Sequence, residues 1–231
     1  MVSIDDAVVA KLKIGANVFE ILVDCEKALE LRKGKDIDLD DILATNDIFK
    51  DLKKGEHASD LLKFFKTENK REIARKIIME GEVQLTSEYK NKLRDEKRKQ
   101  IINNIHRNAV DPNTGFPHPP RRIESALEEA KINIDEFKPV EEQLKSILPK
   151  LRVLLPLKYE IREIAVKIPS AYAGKCYTIL KQYGNLLKDE WQNDGSLVAV
   201  VEIPAGLQEE FFDKLNGLSH GEVESKILNV R

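Results

Sequence analysis

Apolar residues recur every three or four positions through the middle third of the chain, a spacing that predicts amphipathic helices. One stripe ends with Ile105 and Ala109. We expect this helix to begin at Thr86 or Ser87, because either hydroxyl can cap the first turn. It should end at the turn formed by residues 111–115, which contains a proline and a glycine.

Prolines divide the rest of this segment. The turn and the stretch after it predict a rigid structural motif whose members are Asp111, Pro112, Pro117, His118, Pro119 and Pro120. A second helix should start at Pro119 or Pro120, since a proline in the first turn loses no hydrogen bond. A third helix should follow Pro139 and kink or break at Pro149. Three helices with short connections predict a three-helix bundle.

The first third of the chain combines short alternating runs with helical periods. Alternation over residues 8–23 predicts two strands joined by a turn at 15–17. A further short strand is expected near residues 48–52, and another at 83–85. The predicted helices cover residues 25–32, 60–65 and 68–79, with Asp24, Ser59 and Thr67 as their respective caps. This mixture predicts an α+β domain.

The last third shows the order βαββαβ, which is typical of a ferredoxin-like fold. The predicted strands are 159–168, 186–191, 197–203 and 223–230, and the predicted helices are 171–183 and 206–215. The chain is therefore expected to be an α+β protein of three domains, at residues 1–85, 86–160 and 161–231. We expect the C-terminal domain to pivot near residues 156–159, because small domain interfaces permit relative motion.

Basic side chains concentrate in the middle domain. Residues 86–160 carry 15 Lys and Arg against 12 Asp and Glu, whereas the whole chain has a net charge of -2. Two further lysines lie at a predicted turn, where side chains reach solvent and need not pack against the core. The candidate contacts to a polyanion are Lys53, Lys54, Arg94, Lys97, Arg98, Arg121 and Arg122. Charge alone equally fits a solvated helix face.

No catalytic or cofactor motif is visible. The chain contains neither GxxxxGK[ST] nor GxGxxG, and no GxSxG surrounds its serines. His118 lacks partners with metal-ligand spacing, so we expect it to hydrogen-bond the turn, with Asp111 bracing the same turn. Cys25 and Cys176 are far apart and are expected to be reduced thiols. These features predict no enzyme activity, no cofactor and no metal, and no long apolar run predicts a membrane span.

The stretch RNAVDPNTGFPHPPRRIESALEEAK, residues 107–131, resembles the central signature of the SBDS family, the ribosome maturation factors named after Shwachman-Bodian-Diamond syndrome. Its Pro-His-Pro-Pro form is similar to the archaeal branch. Further similar blocks are FEILVDCEKAL at 19–29, KDLKKGEHAS at 50–59, EIARKIIMEGEVQLT at 72–86, EIAVKIPSAYAG at 163–174 and VVEIPAGLQEEF at 200–211. The resemblance therefore extends over essentially the whole chain.

The resemblance implies a monomeric, cytoplasmic, non-catalytic factor that binds the rRNA of the large ribosomal subunit. It also implies cooperation with an elongation-factor-like GTPase, which together with this factor releases an anti-association initiation factor from the subunit. By matching position, Lys53 and Lys54 would lie in the part of the N-terminal domain that meets rRNA. Two alternatives remain open: an RNA-binding protein linked to rRNA processing or the exosome, and a pure protein-interaction scaffold.

Overall fold

The computed structural model describes residues 2–231, which form two compact units, one up to Leu93 and one from Arg94 onward. The boundary falls inside the long helix α5 (Ser87–Asn108), which we number in chain order with the elements below. Both units combine helices with antiparallel strands. The α+β class predicted from the sequence is therefore confirmed.

The first unit is built on a five-stranded antiparallel sheet in the order β4-β3-β2-β1-β5. Its strands are β1 (Val8–Ile14), β2 (Asn17–Val23), β3 (Phe49–Asp51), β4 (Glu56–His57) and β5 (Glu82–Val83). Its helices before α5 are α1 (Cys25–Arg32), α2 (Leu39–Ile42), α3 (Leu61–Phe65) and α4 (Lys70–Glu80). The predicted strand pair within residues 8–23 and the helix at 25–32 are confirmed.

One face of this sheet is covered and the other is open. Ala10 and Leu12 of β1, and Phe19 and Ile21 of β2, are buried in the core that also holds the isoleucines of α4. Because side chains alternate across a strand, the residues between them point to the opposite face. Lys11, the residue between the two buried positions of β1, is exposed.

The helix starts in this unit are only partly as predicted. Asp24 caps α1 by accepting a hydrogen bond from the Lys27 amide at 2.9 Å. Helix α4 begins two residues later than predicted, because Asn69 caps it through the Arg71 amide at 3.1 Å. The Thr67 hydroxyl accepts from the Asn69 amide instead. Ser59 does not cap α3 either, since its hydroxyl faces the neighbouring Asp60 carboxylate.

The second unit contains the end of α5 and two hydrophobic cores. Its further elements are β6 (Ala109–Val110), α6 (Pro120–Glu129), α7 (Val140–Leu154), β7 (Lys158–Tyr159), β8 (Ile161–Ile168), α8 (Ser170–Tyr183), β9 (Asn185–Trp191), β10 (Leu197–Pro204), α9 (Gln208–Ser219) and β11 (Glu224–Val230). Helices α5, α6 and α7 enclose the first of the two cores. The three-helix bundle is confirmed, with α6 starting at one of the predicted prolines.

Three details of the bundle correct the sequence prediction. Ala109 lies in strand β6 rather than in the helix, and it pairs with Tyr159 of β7. The predicted strand at 159–168 is therefore split, and the C-terminal sheet begins at Ile161. Helix α7 continues through Pro149, so the predicted break is wrong, whereas the alternative of a kink stays a prediction. Pro149 and Lys145, whose carbonyl loses its helical donor, are both exposed, so water can satisfy that carbonyl.

The remaining strands form a four-stranded antiparallel sheet in the order β11-β8-β10-β9, with α8 and α9 packed on one face. This order and the sequence βαββαβ confirm the ferredoxin-like fold. Helix α9 extends four residues further than predicted, to Ser219. A short 3-10 turn over Ala205–Leu207 precedes it and faces the bundle.

The bundle and the ferredoxin-like domain are joined by close backbone contacts. A Cβ atom at Gly206 would lie 2.2 Å from the His106 carbonyl oxygen, so the two backbones nearly touch there. The Glu160 amide donates to the Asn108 carbonyl at 3.3 Å, and the Glu160 carbonyl accepts from the Ala205 amide at 2.9 Å. These contacts hold the start of the C-terminal domain against the end of α5.

The predicted pivot at residues 156–159 is itself fastened to the bundle. Leu155 and Leu157 are buried in the bundle core, and the Pro156 carbonyl accepts a hydrogen bond from His118 Nε2 at 2.7 Å. Lys158 and Tyr159, which form β7, pair with β6. The pivot stays a prediction, and motion there would have to break these contacts.

Replacement of Glu160 by glutamine should destabilise the joint between these domains. Its carboxylate is 3.0 Å from both Lys158 Nζ and Arg162 Nε. Burial raises the pKa of Glu160, but the hydrogen bonds and charges of Lys158 and Arg162 outweigh it, so the net pKa is lowered. A lowered pKa contributes stability above the ordinary carboxyl pKa, and this contribution disappears as the pH falls.

We expect Glu160→Gln to cost about 1.5–3 kcal/mol at neutral pH. The difference from the wild type should shrink at acidic pH, below the ordinary carboxyl pKa, as the Glu160 carboxylate of the wild type becomes protonated. Urea unfolding of the full chain at both pH values measures it. Glu124→Gln, at an exposed position of α6, is the matched control. A difference that stays constant between the two pH values would contradict the electrostatic explanation.

Candidate nucleic-acid interface

Lys53 and Lys54 lie at the tip of the hairpin that joins β3 to β4, as the sequence predicted. Both are exposed, and Gly55 takes the left-handed conformation that the turn requires, with φ of 67°. Asp51 braces the turn by accepting the Lys54 amide at 3.2 Å. Within residues 2–231, Lys53 makes neither a hydrogen bond nor an ion pair. The turn therefore presents an ammonium group to solvent on a defined backbone.

A carboxylate of the sheet holds this turn in place. Glu20 of β2 accepts a hydrogen bond from the Leu52 amide at 2.8 Å. The negative charge of Glu20 is thereby partly satisfied by a backbone amide one residue before Lys53. Lys54 Nζ is 3.5 Å from Asp51 in a surface ion pair, a contact worth little in water. Both lysines remain available for a phosphate, because an exposed pair of this kind exchanges partners at small cost.

Two of the candidate arginines form ion pairs within the three-helix bundle and the segment that follows α6. Arg94 pairs with Glu136 at 3.2 Å, and Arg98 pairs with Glu128 of α6 at 3.3 Å. Both side chains cross from α5 to neighbouring segments and are about one third exposed, at 39% and 31%. Lys97, between them in sequence, is half-buried. Their predicted contact with phosphates stays a prediction, and any such contact would compete with these ion pairs.

Arg121 and Arg122 occupy the first turn of α6, where both are exposed. Within the described part of the chain, Arg122 forms no ion pair with the nearby Glu124 or Glu129 of the same helix. The positive end of the helix dipole adds to the charge of the two arginines. The candidate basic residues therefore fall into three groups. Two exposed arginines lie at the start of α6, two exposed lysines lie on the N-terminal hairpin, and the arginines of α5 are engaged in ion pairs.

The central motif around the prolines connects separate segments of the bundle. Its histidine donates a hydrogen bond to a different acceptor from the one expected. His118 is 3% exposed and donates to the Pro156 carbonyl, 38 residues away, rather than to the turn. Asp111 does brace the turn as predicted, since it accepts the Asn113 amide at 2.9 Å. His106 Nδ1 donates to the His118 carbonyl at 2.8 Å. These bonds connect α5, the proline segment and the end of α7.

Sequence reasoning overlooked two side chains beside the lysine turn. Phe49 of β3 and His57 of β4 are register partners, and their ring centroids lie 4.9 Å apart. Neither ring joins the core of the first unit, whereas Phe64 and Phe65 pack on Phe19 there. The signal that could have found them is the strand register, which a single sequence does not show.

Catalytic groups do not converge in the described structure. Among residues 2–231, no cluster of three or more His, Cys, Asp or Glu side chains could hold a metal ion. A cleft of about 660 Å³ in the first unit is lined by several carboxylates, among them Asp24 and Glu88, which would repel phosphate groups. Cys25 and Cys176 are buried, free thiols, as expected. No helix of residues 2–231 is long and apolar enough to span a membrane.

Three family models together match most of the chain. Family models match at residues 6–91 (Shwachman-Bodian-Diamond syndrome (SBDS) N-terminal domain), 99–160 (SBDS protein, domain II) and 162–230 (SBDS protein, C-terminal domain). The chain belongs to the SBDS family. Each match contains one of the three hydrophobic cores, which confirms the three-domain SBDS architecture. The boundaries near residues 85 and 160 stay predictions.

Among its SBDS relatives, the chain is 43% identical to the "Ribosome maturation protein SDO1 homolog" of Methanothermobacter thermautotrophicus, over 99% of this chain and 100% of that protein. It is 40% identical to the protein of the same name from Aeropyrum pernix, over 97% of each chain. The "Ribosome maturation protein SBDS" of Caenorhabditis elegans is 28% identical, over 96% of this chain and 89% of that protein. The similarity thus extends from archaeal to animal members of the SBDS family.

Proposed function

We propose that this SBDS family member is a non-catalytic ribosome maturation factor that binds the rRNA of the large subunit. A role in ribosome biogenesis is supported by full-length relatives named as ribosome maturation proteins. The observation that carries the rRNA contact is the hairpin tip, where a braced backbone presents Lys53 and Lys54 to solvent. Lysines on a turn can meet phosphates without losing packing contacts. Arg121 and Arg122 supply a second exposed basic pair in the bundle.

We further propose that the factor acts as a monomer in the cytoplasm with a translational GTPase of the elongation-factor type. Together they would promote release of an anti-association initiation factor from the maturing large subunit. This part of the proposal follows from the family resemblance. The interlocked contacts around Glu160 support a mechanism in which the C-terminal domain starts from one defined position against the bundle.

The experiment is co-sedimentation of the purified chain with purified archaeal large subunits, small subunits and deproteinised rRNA. We expect binding to large subunits and little binding to small subunits. Addition of the GTPase and GTP to large subunits loaded with the anti-association factor should release that factor only when this chain is present. Equal binding to deproteinised rRNA and large subunits would favour the RNA-processing alternative. Capture of protein partners without any subunit binding would favour the scaffold alternative.

A further inference from the structure

The open face of the N-terminal sheet carries a cross-strand row that leads to the lysine turn. Strand register places Lys11 opposite Glu20, Glu20 opposite Phe49, and Phe49 opposite His57. Directly opposed residues of neighbouring strands point to the same face. Since Phe19 and Ile21 flank Glu20 in sequence and are buried on the other face, this row lies on the side without helices from the first core.

Phe49 and His57 end this row as a tilted pair of rings. Their planes are inclined by 31° and their centroids are 4.9 Å apart, so the two rings are in tilted contact. His57 is exposed and Phe49 is half-buried. The pair therefore places an exposed imidazole ring, in contact with Phe49, at the edge of the sheet on two hydrogen-bonded strands. Core packing does not explain it, because the aromatic residues of the core contact one another elsewhere.

The hairpin that carries the aromatic pair has more basic than acidic side chains. The register between β3 and β4 shifts after Phe49, so Lys50 is the extra residue of a β-bulge and is exposed. Lys53 and Lys54 lie at the tip of the same hairpin. Glu20, the nearest carboxylate in the row, is engaged by the Leu52 amide at 2.8 Å. The hairpin thus carries three exposed lysines against two carboxylates, Asp51 and Glu56. Asp51 accepts the Lys54 amide at 3.2 Å, and the nearby Asp47 is paired with Lys70 at 2.9 Å.

We propose that Phe49 and His57 form a stacking platform for an unpaired base of RNA, while Lys50, Lys53 and Lys54 contact the adjacent phosphates. Single-stranded nucleic acid is bound by this combination of a flat aromatic surface with basic side chains along the backbone path. The hairpin provides both parts within nine residues, 49–57. The proposal rests on the proposed function and adds to it the chemical class of the ligand, an exposed nucleobase rather than a paired helix.

The test compares two RNA probes with the full-length chain. One probe is a decamer of riboadenylate, and the other is an abasic ribose-phosphate decamer of the same length and charge. Fluorescence anisotropy should show that the wild type binds the riboadenylate about tenfold more tightly, the scale expected for one stacked base. Phe49→Leu should abolish this preference and leave affinity for the abasic decamer unchanged. Leucine keeps an apolar contact with the sheet but has no π face.

His57→Ala gives a second variant at an exposed position, where folding is not at risk. It should also reduce the preference for riboadenylate. Phe64→Leu is the control, because Phe64 packs on Phe19 at 5.3 Å in the core of the same domain and should not affect base preference. Thermal unfolding of each variant verifies the fold.

Equal affinity of the wild type for the two decamers would overturn the platform, and so would a preference that survives both Phe49→Leu and His57→Ala. Co-sedimentation with large subunits is measured in parallel. Salt-dependent subunit binding without base preference would reject the platform and keep the proposed function. Absence of subunit binding by the wild type would reject the proposed function itself.

Discussion

Substitution of Gly206 by alanine should destabilise the second unit by about 3 kcal/mol, near the upper end for overpacking of a close-packed site. The added Cβ would lie 2.2 Å from the His106 carbonyl oxygen and 2.6 Å from that of Arg107. Both atoms belong to the backbone of α5, which cannot move aside as a flexible side chain can. The expected result is a lower urea midpoint, or separation of the C-terminal domain from the bundle.

Gly217→Ala is the matched control for this experiment. Gly217 lies within α9, and a Cβ there would meet no atom within 4 Å. Alanine favours a helix over glycine by up to about 1 kcal/mol, so this variant should be as stable as the wild type or slightly more stable. If Gly206→Ala unfolded like Gly217→Ala, the close approach of the two domains would not describe the protein in solution.

The double variant Lys53→Glu with Lys54→Glu should weaken binding to large subunits by about 100-fold. Two charge-assisted hydrogen bonds to phosphate would be lost, each worth about 1.5 kcal/mol or slightly less, and each 1.4 kcal/mol is tenfold in affinity. Stability should change by less than about 0.5 kcal/mol per position, because both side chains are exposed. Co-sedimentation measures the affinity, and thermal unfolding measures the stability.

Arg75→Glu with Lys76→Glu is the charge-matched control on the exposed side of α4. It changes the net charge of the chain by the same amount in the same domain. We expect it to bind subunits nearly as well as the wild type. Equal loss of affinity in both double variants would show that overall charge, rather than the hairpin, governs binding.

Local chemistry made much of the fold predictable. Asp24 has the side chain and the position of a helix cap, and Pro120 begins α6 because a proline costs nothing in the first turn. The order of strands and helices in the last third was sufficient for the ferredoxin-like topology. For the two helix starts, the deciding interactions lie within a few residues of one another in sequence.

The errors arose where distant segments meet. Ala109 continues a helical stripe in sequence, yet it pairs with Tyr159, 50 residues away, and leaves the helix. Pro149 does not break α7, because tertiary packing of the flanking turns outweighs one lost hydrogen bond at an exposed carbonyl. Gly206 was predicted to start a helix, and only the structure shows the backbone that it approaches.

In the candidate interface too, features set by local sequence were predictable and features set by contacts between distant segments were not. The lysine pair was visible in the sequence because turn residues reach solvent wherever the turn is placed. Arg94 and Arg98 looked equally available, but their ion pairs with Glu136 and Glu128 depend on helix packing. Phe49 lies in an expected strand, and its partnership with His57 depends on a β-bulge that the sequence does not mark.

The salt dependence of binding to purified large subunits tests the central claim most directly. A plot of the logarithm of the association constant against the logarithm of the salt concentration should fall linearly, with a slope of about -0.7 to -0.9 for each phosphate neutralised. The double variant Lys53→Glu with Lys54→Glu should make the slope less steep by about 1.4 to 1.8, the contribution of two phosphates. Identical slopes and affinities for the wild type and this variant would contradict rRNA contact by the hairpin.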